Sequence, residues 1–349
     1  MTLLATCLLS LCHAAAGSAA ADDRATQAPQ IAYAPVLDSE QFEEPQTAAV
    51  PLAAGTGSAT QRALQPLGPT SALGDDGFRI GKLRAFKRGK LLLTNGITTV
   101  EGASGGGIAR WATIAGRQTG GGVGVSGHAT AIELPEFGWR SYGVAIGIGD
   151  RLELSFARAD FDTRDAGALL GLGEGFTFGQ EVVGAKMRVA GDLVYGETWL
   201  PQIAVGIEHK RNRDGAIVRA LGAADDDGMD YTISATKLLL AHSLLINATA
   251  RFTEANQLGL LGFGAAAGRG YQLQFEGSLG YQLSRRAVIG AEYRSKSDNL
   301  GLGEDDWMDL FAAYALTDNV TLTAAYVDLG SIATFSDQRG GFVSAQVAF

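Results

Sequence analysis

Two glycine-rich stretches are the first candidates for chemistry in this sequence. Gly122–Gly127 fits the pattern G-x-G-x-x-G, which in dinucleotide-binding proteins joins a strand to a helix. No helical pattern follows it and no acidic residue completes such a site, so we interpret its alternating glycines as part of a curved strand. Gly171–Phe176 lacks the Lys-Ser/Thr pair of a phosphate-binding loop, and we predict a loop there.

Histidines are the other candidates for catalysis. His128, His209 and His242 lie in separate segments, and neither H-E-x-x-H nor G-x-S-x-G occurs. A lipase-like Ser/His site with His128 or His209 as the base stays open as an alternative. We predict that the protein is not an enzyme and that it has no catalytic residues, no metal site and no cofactor.

The N-terminal residues predict secretion. An apolar run through Leu11 is followed by small residues, and Ala19–Ala21 before Asp22 fits a signal-peptidase site, which predicts a signal peptide over residues 1–21. Both cysteines, Cys7 and Cys12, lie in this leader. The mature chain is therefore expected to contain neither a disulfide nor a thiolate metal site.

Residues 22–87 have the composition of a flexible segment. Six of the eight prolines occur here among Ala, Gln, Thr and acidic residues, a mixture that buries too little apolar surface to offset the entropy of ordering. We predict a disordered periplasmic extension. The alternative is a tether that binds a periplasmic partner through the acidic stretch 38–44.

Charge and hydropathy exclude two other classes. The net charge is −9, the pI is about 5.0, and the basic residues are scattered, which argues against a nucleic-acid-binding surface. No segment after the leader approaches the roughly 20 apolar residues that a membrane-spanning helix needs. A helical membrane protein is therefore not expected.

From residue 88 onward, apolar residues recur at every second position in segments of about ten residues, the period of a β-strand. Short connections alternate with long polar or glycine-rich ones, and most aromatic residues fall near strand ends. This predicts an all-β fold over 88–349: a transmembrane antiparallel up-and-down β-barrel in the cell outer membrane. Counting back from Phe349 gives about 14 strands, including 90–100 and 107–117; the alternative is 12, without these two segments.

The last strand carries an expected assembly signal. Phe349, Val347 and Ala345 share one face, and a terminal outward aromatic residue resembles the signal read by the outer-membrane barrel assembly machinery. Expected partners are this machinery, outer-membrane lipid and a possible periplasmic partner of the extension.

Charged residues opposite the apolar stripes should face the lumen, because a cation facing lipid at mid-membrane costs about 2–4 kcal/mol. These residues are Lys186, Arg188, Glu208, Lys210, Arg251, Glu276, Glu292, Arg294, Lys296 and Asp309. Their mixed signs predict a passive, porin-like channel for small solutes. The alternative is a non-conducting structural or adhesion barrel that acts through its outer loops, with the loop 162–177 plugging the lumen; a barrel-wall hydrolase is a third class.

Several short sequence segments resemble those of one known family. They are Gly89–Gly96, Val100–Ala103 with Gly105–Gly107, Trp199–Gly206, Asp298–Gly301 and Ala325–Gly330. The chain resembles, over about 88–349, the Gram-negative family catalogued as domain of unknown function number 3034, which is grouped with outer-membrane barrels. The resemblance implies a fold and a location but no catalytic or binding residues.

Overall fold

One closed antiparallel sheet of twelve long strands dominates the computed structural model, which describes residues 84–85, 89–195 and 199–349. In chain order the strands are β1 (Gly122–Glu133), β2 (Gly138–Ile148), β3 (Leu152–Asp162), β4 (Thr177–Ala190), β5 (Gln202–Asn212), β6 (Asp227–Leu239), β7 (Leu244–Thr253), β8 (Gln272–Ser284), β9 (Ala287–Arg294), β10 (Trp307–Ala315), β11 (Val320–Asp328) and β12 (Arg339–Ala348). Consecutive strands pair throughout, and β12 closes the sheet on β1, with Ala345 opposite Ala129. The predicted up-and-down barrel is confirmed, with the alternative count of 12 strands.

The remaining elements are short. Arg84–Ala85 pairs parallel with Gly122–Val123, and Ile97–Thr98 forms a hairpin with Ser104–Gly105. Helices α1 (Ala166–Leu169) and α2 (Gly215–Ala220) and the 3-10 turns Leu240–His242 and Asn256–Gly259 lie in connections. No helix in the described ranges has the length and apolarity to cross a membrane. The predicted signal peptide and, apart from Arg84–Ala85, the predicted extension lie outside the described residues.

The two faces of the wall differ as the alternation predicts. On β8, Leu273, Phe275, Leu279 and Tyr281 are 51–58% exposed, whereas Gln274, Glu276 and Ser278 between them are only 3–5% exposed. An exposed apolar outer face is the surface that a barrel presents to lipid. Most of the aromatic residues near strand ends lie on this face, but Trp307 points inward and is fully buried.

Connection lengths define two ends of the barrel. At the short-turn end, 149–151, 285–286 and 316–319 join the strands tightly, and only the connection 191–201 is longer. At the long-loop end lie 163–176, 213–226, 254–271, 295–306 and 329–338, with 134–137 as the one short link. The predicted alternation of short and long connections is present.

Residues 89–118, which we call the inner segment, lie inside the barrel. Its residues Ile108, Ala109, Trp111 and Ala112 are 0–2% exposed, and its backbone bonds to wall side chains described below. The expectation that 90–100 and 107–117 are wall strands is therefore wrong. The physical reason is that β12 and β1 satisfy each other's backbone groups directly, which leaves no open edge for two further strands.

Apolar side chains close the long-loop end. Phe137, Trp139, Phe161, Phe178 and Trp307 pack with loop residues such as Val218, Leu260, Leu261, Leu329 and Ile332. The rings of Trp139 and Trp307 meet edge to face with centroids 5.8 Å apart. We call this layer the loop cap. The loop 163–176 contributes Ala166 to the cap, while the centre of the lumen is filled by the inner segment and not by this loop.

Candidate functional site: the charged centre of the barrel

Arg251 of β7 lies at the centre of the lumen and binds four carboxylates. Its guanidinium nitrogens are 2.6 Å from Glu276, 2.8 Å from both Glu208 and Asp230, and 3.1 Å from Glu101. The Arg251 side chain is 0% exposed. A planar guanidinium has five N–H donors in a fixed fork, which explains how one side chain binds several acids.

The network around Arg251 balances its charges. Lys210 bonds Glu101 and Asp230, Arg294 lies 2.9 Å from Glu101, and Arg110 lies 2.5 Å from Glu208. Four cations therefore meet the four carboxylates. Because burial of an unpaired charge costs several kcal/mol, this balance of charge is what permits the cluster to exist in the buried interior. A pore constriction lined by charges of one sign can select ions, but this cluster has no net charge with which to do so.

Three acids of this network have ligand atoms within 4.8 Å of one another, namely Glu101, Glu208 and Asp230. Such a cluster has the donor atoms that a cation binds. Here the Lys210 ammonium and the Arg251 guanidinium already pair with these carboxylates. The chemistry of the cluster is therefore an internal salt-bridge network.

Wall carboxylates also bind the backbone of the inner segment. Glu292 Oε2 accepts hydrogen bonds from the amides of Gly107 at 2.6 Å and Ile108 at 2.9 Å, and Glu276 accepts one from Arg110 at 2.7 Å. On the opposite wall, Glu153 accepts the amide of Ala115 at 2.7 Å. These bonds replace the ladder partners that an irregular buried segment lacks.

The carbonyl groups of the inner segment find donors on the wall in the same way. Lys186 Nζ donates to Ser104 O at 2.7 Å, Gln202 Nε2 donates to Ala112 O at 2.6 Å, and Thr249 Oγ1 donates to Arg110 O at 2.6 Å. Glycines in the wall allow the backbone of the inner segment to approach the strands closely. At Gly147 of β2 an added Cβ would lie 2.1 Å from Ala115 O. The polar inner face of the wall thus functions as a binding surface for residues 89–118.

The ten predicted lumen residues occupy three places. Seven lie in the buried centre: Lys186, Glu208, Lys210, Arg251, Glu276, Glu292 and Arg294. Asp309 is beside them and 4% exposed, and its carboxylate has no side-chain donor among the described residues. Arg188 lies near the short-turn end, 3.1 Å from Asp150, and Lys296 lies beyond the end of β9 at the long-loop end.

Four residues of the network were missed by the sequence analysis. Glu153 and Asp230 occupy inward positions of β3 and β6, and strict alternation along those strands would have identified them. Glu101 and Arg110 belong to the inner segment and are 1–2% exposed. Nothing in their local pattern distinguishes a charged residue of a wall strand from one of an internal segment.

Lys296 and Glu304 form an ion pair 2.8 Å apart beneath the loop cap, with the Lys296 ammonium 5.6 Å from the centre of the Trp307 ring. Burial raises the pKa of Glu304, and the attraction of Lys296 only partly offsets this. Burial likewise lowers the pKa of Lys296, opposed by Glu304. Desolvation therefore outweighs the attraction for both partners. We expect the pair to add little to the free energy of folding and to act by holding two parts of the loop 295–306 together.

The short-turn end contains an open cavity of about 770 Å³. Its lining includes Lys90, Arg117, Arg285, Arg286 and Asp318, together with leucines and Tyr314. Lys90 is held by Asp150 at 2.7 Å, and Arg286 by Asp318 at 2.9 Å. The cavity ends at the inner segment, whose first residues form part of its lining.

The histidines do not assemble a nucleophilic site within the described residues. His128 Nε2 is 3.3 Å from Ser141 Oγ, but that hydroxyl donates to Val100 O at 2.6 Å, and His128 Nδ1 has no partner. His209 lies on the outer surface beside Asp227, and His242 lies in a short turn. The residues of the expected assembly signal, Ala345, Val347 and Phe349, all point to the outside of β12 or its end.

The sequence model of one protein family matches residues 94–346, and the description of that family is "Protein of unknown function (DUF3034)". The chain belongs to this family. The resemblance noted from the short sequence segments is thereby confirmed, and the match includes the inner segment from residue 94, eleven complete strands and most of β12. No curated protein matches the chain.

Several solved structures are similar in fold. The KdgM porin in complex with disordered oligogalacturonate has a TM-score of 0.42 at 10% identity, covering 64% of this chain and 99% of its own. The NanC porin has a TM-score of 0.41 at 9% identity, covering 64% and 98%. Outer membrane phospholipase A from Escherichia coli has a TM-score of 0.37 at 11% identity, covering 65% and 91%.

Proposed function

We propose that this protein is an outer-membrane barrel that is closed to solutes in its resting state and acts as a structural or adhesion barrel through its long loops. The observation that carries the proposal is the filled lumen. The charges from which a passive channel was predicted bind each other and the inner segment, and Arg251, Lys210 and Glu208 are 0% exposed. Pairing of these charges with each other and with the inner segment supports a lumen that is closed at its centre.

Two further features support a closed barrel. The loop cap seals the long-loop end with aromatic and aliphatic side chains, which hydrated solutes do not cross. The exposed apolar outer face supports a membrane location, and the short-turn end is assigned to the periplasm because such barrels have short turns on that side. The long loops then face the exterior, where 163–176 and 213–226 present exposed residues such as Leu169 and Leu221.

A gated channel is the second candidate, because one observation favours it. Many contacts between the wall and the inner segment are hydrogen bonds and ion pairs, which water can replace if the segment moves. The open cavity of about 770 Å³ at the short-turn end then forms the periplasmic entrance of the path.

Conductance across planar bilayers tests the proposal. Full-length protein, with insertion verified by heat-modifiability on gels, is expected to give no steady conductance and no swelling of liposomes in small sugars. Steady conductance of the wild type would overturn the closed barrel in favour of the passive channel. Bursts that appear only under voltage or mild denaturant would instead support the gated candidate.

A further inference from the structure

Asp309 of β10 is a buried acid without a visible counterpart. It is 4% exposed, and neither carboxylate oxygen has a side-chain donor or a well-aligned hydrogen bond among the described residues; the donor near it is the backbone amide of Glu292. An ionised carboxylate in such a place costs several kcal/mol unless it is paired. All the other acids of the barrel centre have donors: Glu101, Glu153, Glu208, Asp230, Glu276 and Glu292.

The residue directly opposite Asp309 on the neighbouring strand is Glu292, also buried. Facing residues on antiparallel strands have Cβ atoms about 4.5–5.5 Å apart, so the side chains of Asp309 and Glu292 leave the sheet side by side on its inner face. Glu292 is well supplied with donors: the amides of Gly107 and Ile108, and Ser278 Oγ at 2.7 Å. Glu292 is thus built to be the anion of the two.

Cations near Asp309 are engaged elsewhere. Arg294, on the same face of β9, bonds Glu101 and the Ile108 carbonyl oxygen, and Lys296 bonds Glu304. Across β11 the partner of Asp309 is Val327, and from the lumen side Phe342 and Gly107 face it, with an added Cβ at Gly107 lying 3.5 Å from Asp309 Oδ2 and 3.3 Å from Phe342. No described cation forms an ion pair with Asp309.

We propose that Asp309 and Glu292 form a proton-binding site, in which Asp309 carries a proton taken up from water on folding and donates it in a hydrogen bond to the Glu292 carboxylate. One negative charge then remains on the pair. The amides of Gly107 and Ile108 stabilise this charge by donating hydrogen bonds to Glu292. The site is a proton-dependent anchor for the inner segment. It does not depend on whether the barrel conducts.

The anchor leaves no room for a compensating side chain from the inner segment. At Gly106 an added Cβ would lie 1.7 Å from Glu292 Oε1, so a larger residue there would displace the Glu292 carboxylate. Loss of the proton would place a second charge beside Glu292 in a buried site. We expect this to draw water to the pair and to loosen the bonds to Gly107 and Ile108.

Infrared spectroscopy of the full-length protein tests the protonation directly. At neutral pH the wild type should show the C=O stretch of a protonated carboxylic acid, and Asp309→Asn should lack it. Asp337→Asn, at an exposed acid whose side chain is 74% exposed, is the matched control and should retain the band. A wild-type spectrum at neutral pH without a band that Asp309→Asn removes would overturn the proposal.

Urea unfolding gives a second readout. Because the folded state holds one proton more, the unfolding equilibrium constant of the wild type should rise about tenfold per pH unit above the range where exposed aspartates ionise, relative to that of Asp309→Asn. The neutral amide has the shape of the neutral acid, so Asp309→Asn should fold normally. A variant that fails to fold would show that an ionised carboxylate is required and would also overturn the proposal.

Discussion

The centre of the barrel and the loop cap are both fully buried, yet they are built from opposite chemistry. Arg251 and its four carboxylates are 0–3% exposed, and so are Phe137, Trp139 and Trp307 of the cap. The cap gains from removing apolar surface from water, with a contribution that depends on area and packing. The centre gains only if each charge finds its partner, so it depends on one particular arrangement of the inner segment.

This difference means that the two layers should respond differently to the loss of one group. Shortening an apolar side chain of the cap should lower the free energy of unfolding by about the contribution of the apolar contact that is lost. Shortening a charged residue of the centre costs more, because the groups that it had bound remain buried without an opposite charge or a hydrogen-bond partner. The following changes test the contrast, beginning with the largest expected effect.

Arg251→Ala should cause the greatest loss of stability, because only three cations would then remain to pair with four buried carboxylates. Removing one partner of a buried ion pair typically costs about 3–5 kcal/mol, and we expect the free energy of unfolding to fall by at least this amount. Urea unfolding followed by heat-modifiability on gels measures it. Arg285→Ala, at an exposed arginine of the β8–β9 turn, is the control and should change stability by less than about 0.5 kcal/mol. Equal effects of both variants would refute the central role of the network.

Leu279→Arg tests the lipid-facing side of the same wall. Leu279 is 56% exposed on the outside of β8, and an arginine near mid-membrane should cost about 2–4 kcal/mol. Leu283→Arg is the matched control, because Leu283 is 55% exposed on the same face but lies at the strand end, where the cost falls to about 0–1 kcal/mol. The yield of assembled barrel in membranes measures both. Equal yields would contradict the assignment of this face to lipid.

Thr249→Val removes a single hydroxyl from the centre while preserving side-chain shape. Thr249 Oγ1 donates to Arg110 O at 2.6 Å and lies 2.8 Å from Ser234 Oγ. Leaving buried polar groups unsatisfied should cost about 1–3 kcal/mol in the free energy of unfolding. Thr249→Ser keeps the hydroxyl and should recover most of the loss. If serine were no better than valine, the hydrogen bond would not be the cause.

Ile132→Val should have the smallest effect, because it removes one methylene group from the cap. Ile132 is 0% exposed, and such a change typically costs about 0.5–1.5 kcal/mol. Ile146→Val is the same substitution at a residue that is 40% exposed on the outside of β2, and it should be nearly neutral. A loss at Ile132 greater than that at Thr249 would reverse the contrast between the two layers.

Period-two alternation determined much of this fold. It located the segments that form the twelve wall strands, and on β5, β7, β8, β9 and β12 it assigned the faces, because a side chain on a strand can point only inward or outward. Alternation also placed Arg251, Glu276 and Glu292 inside, since a charge is costly against lipid. The lengths of the connections identified the two ends of the barrel. All these properties depend on residues close in sequence.

Tertiary structure alone decided what fills the lumen. Residues 90–100 and 107–117 have strand-like composition, and their exclusion from the wall depends on β12 meeting β1, a contact between segments more than 200 residues apart. The partners of Arg251 come from β5, β6, β8 and the inner segment. A buried charge is satisfied by geometry in three dimensions, and no local pattern specifies which distant carboxylate will meet it. The polar faces from which an open path was predicted therefore bind the inner segment.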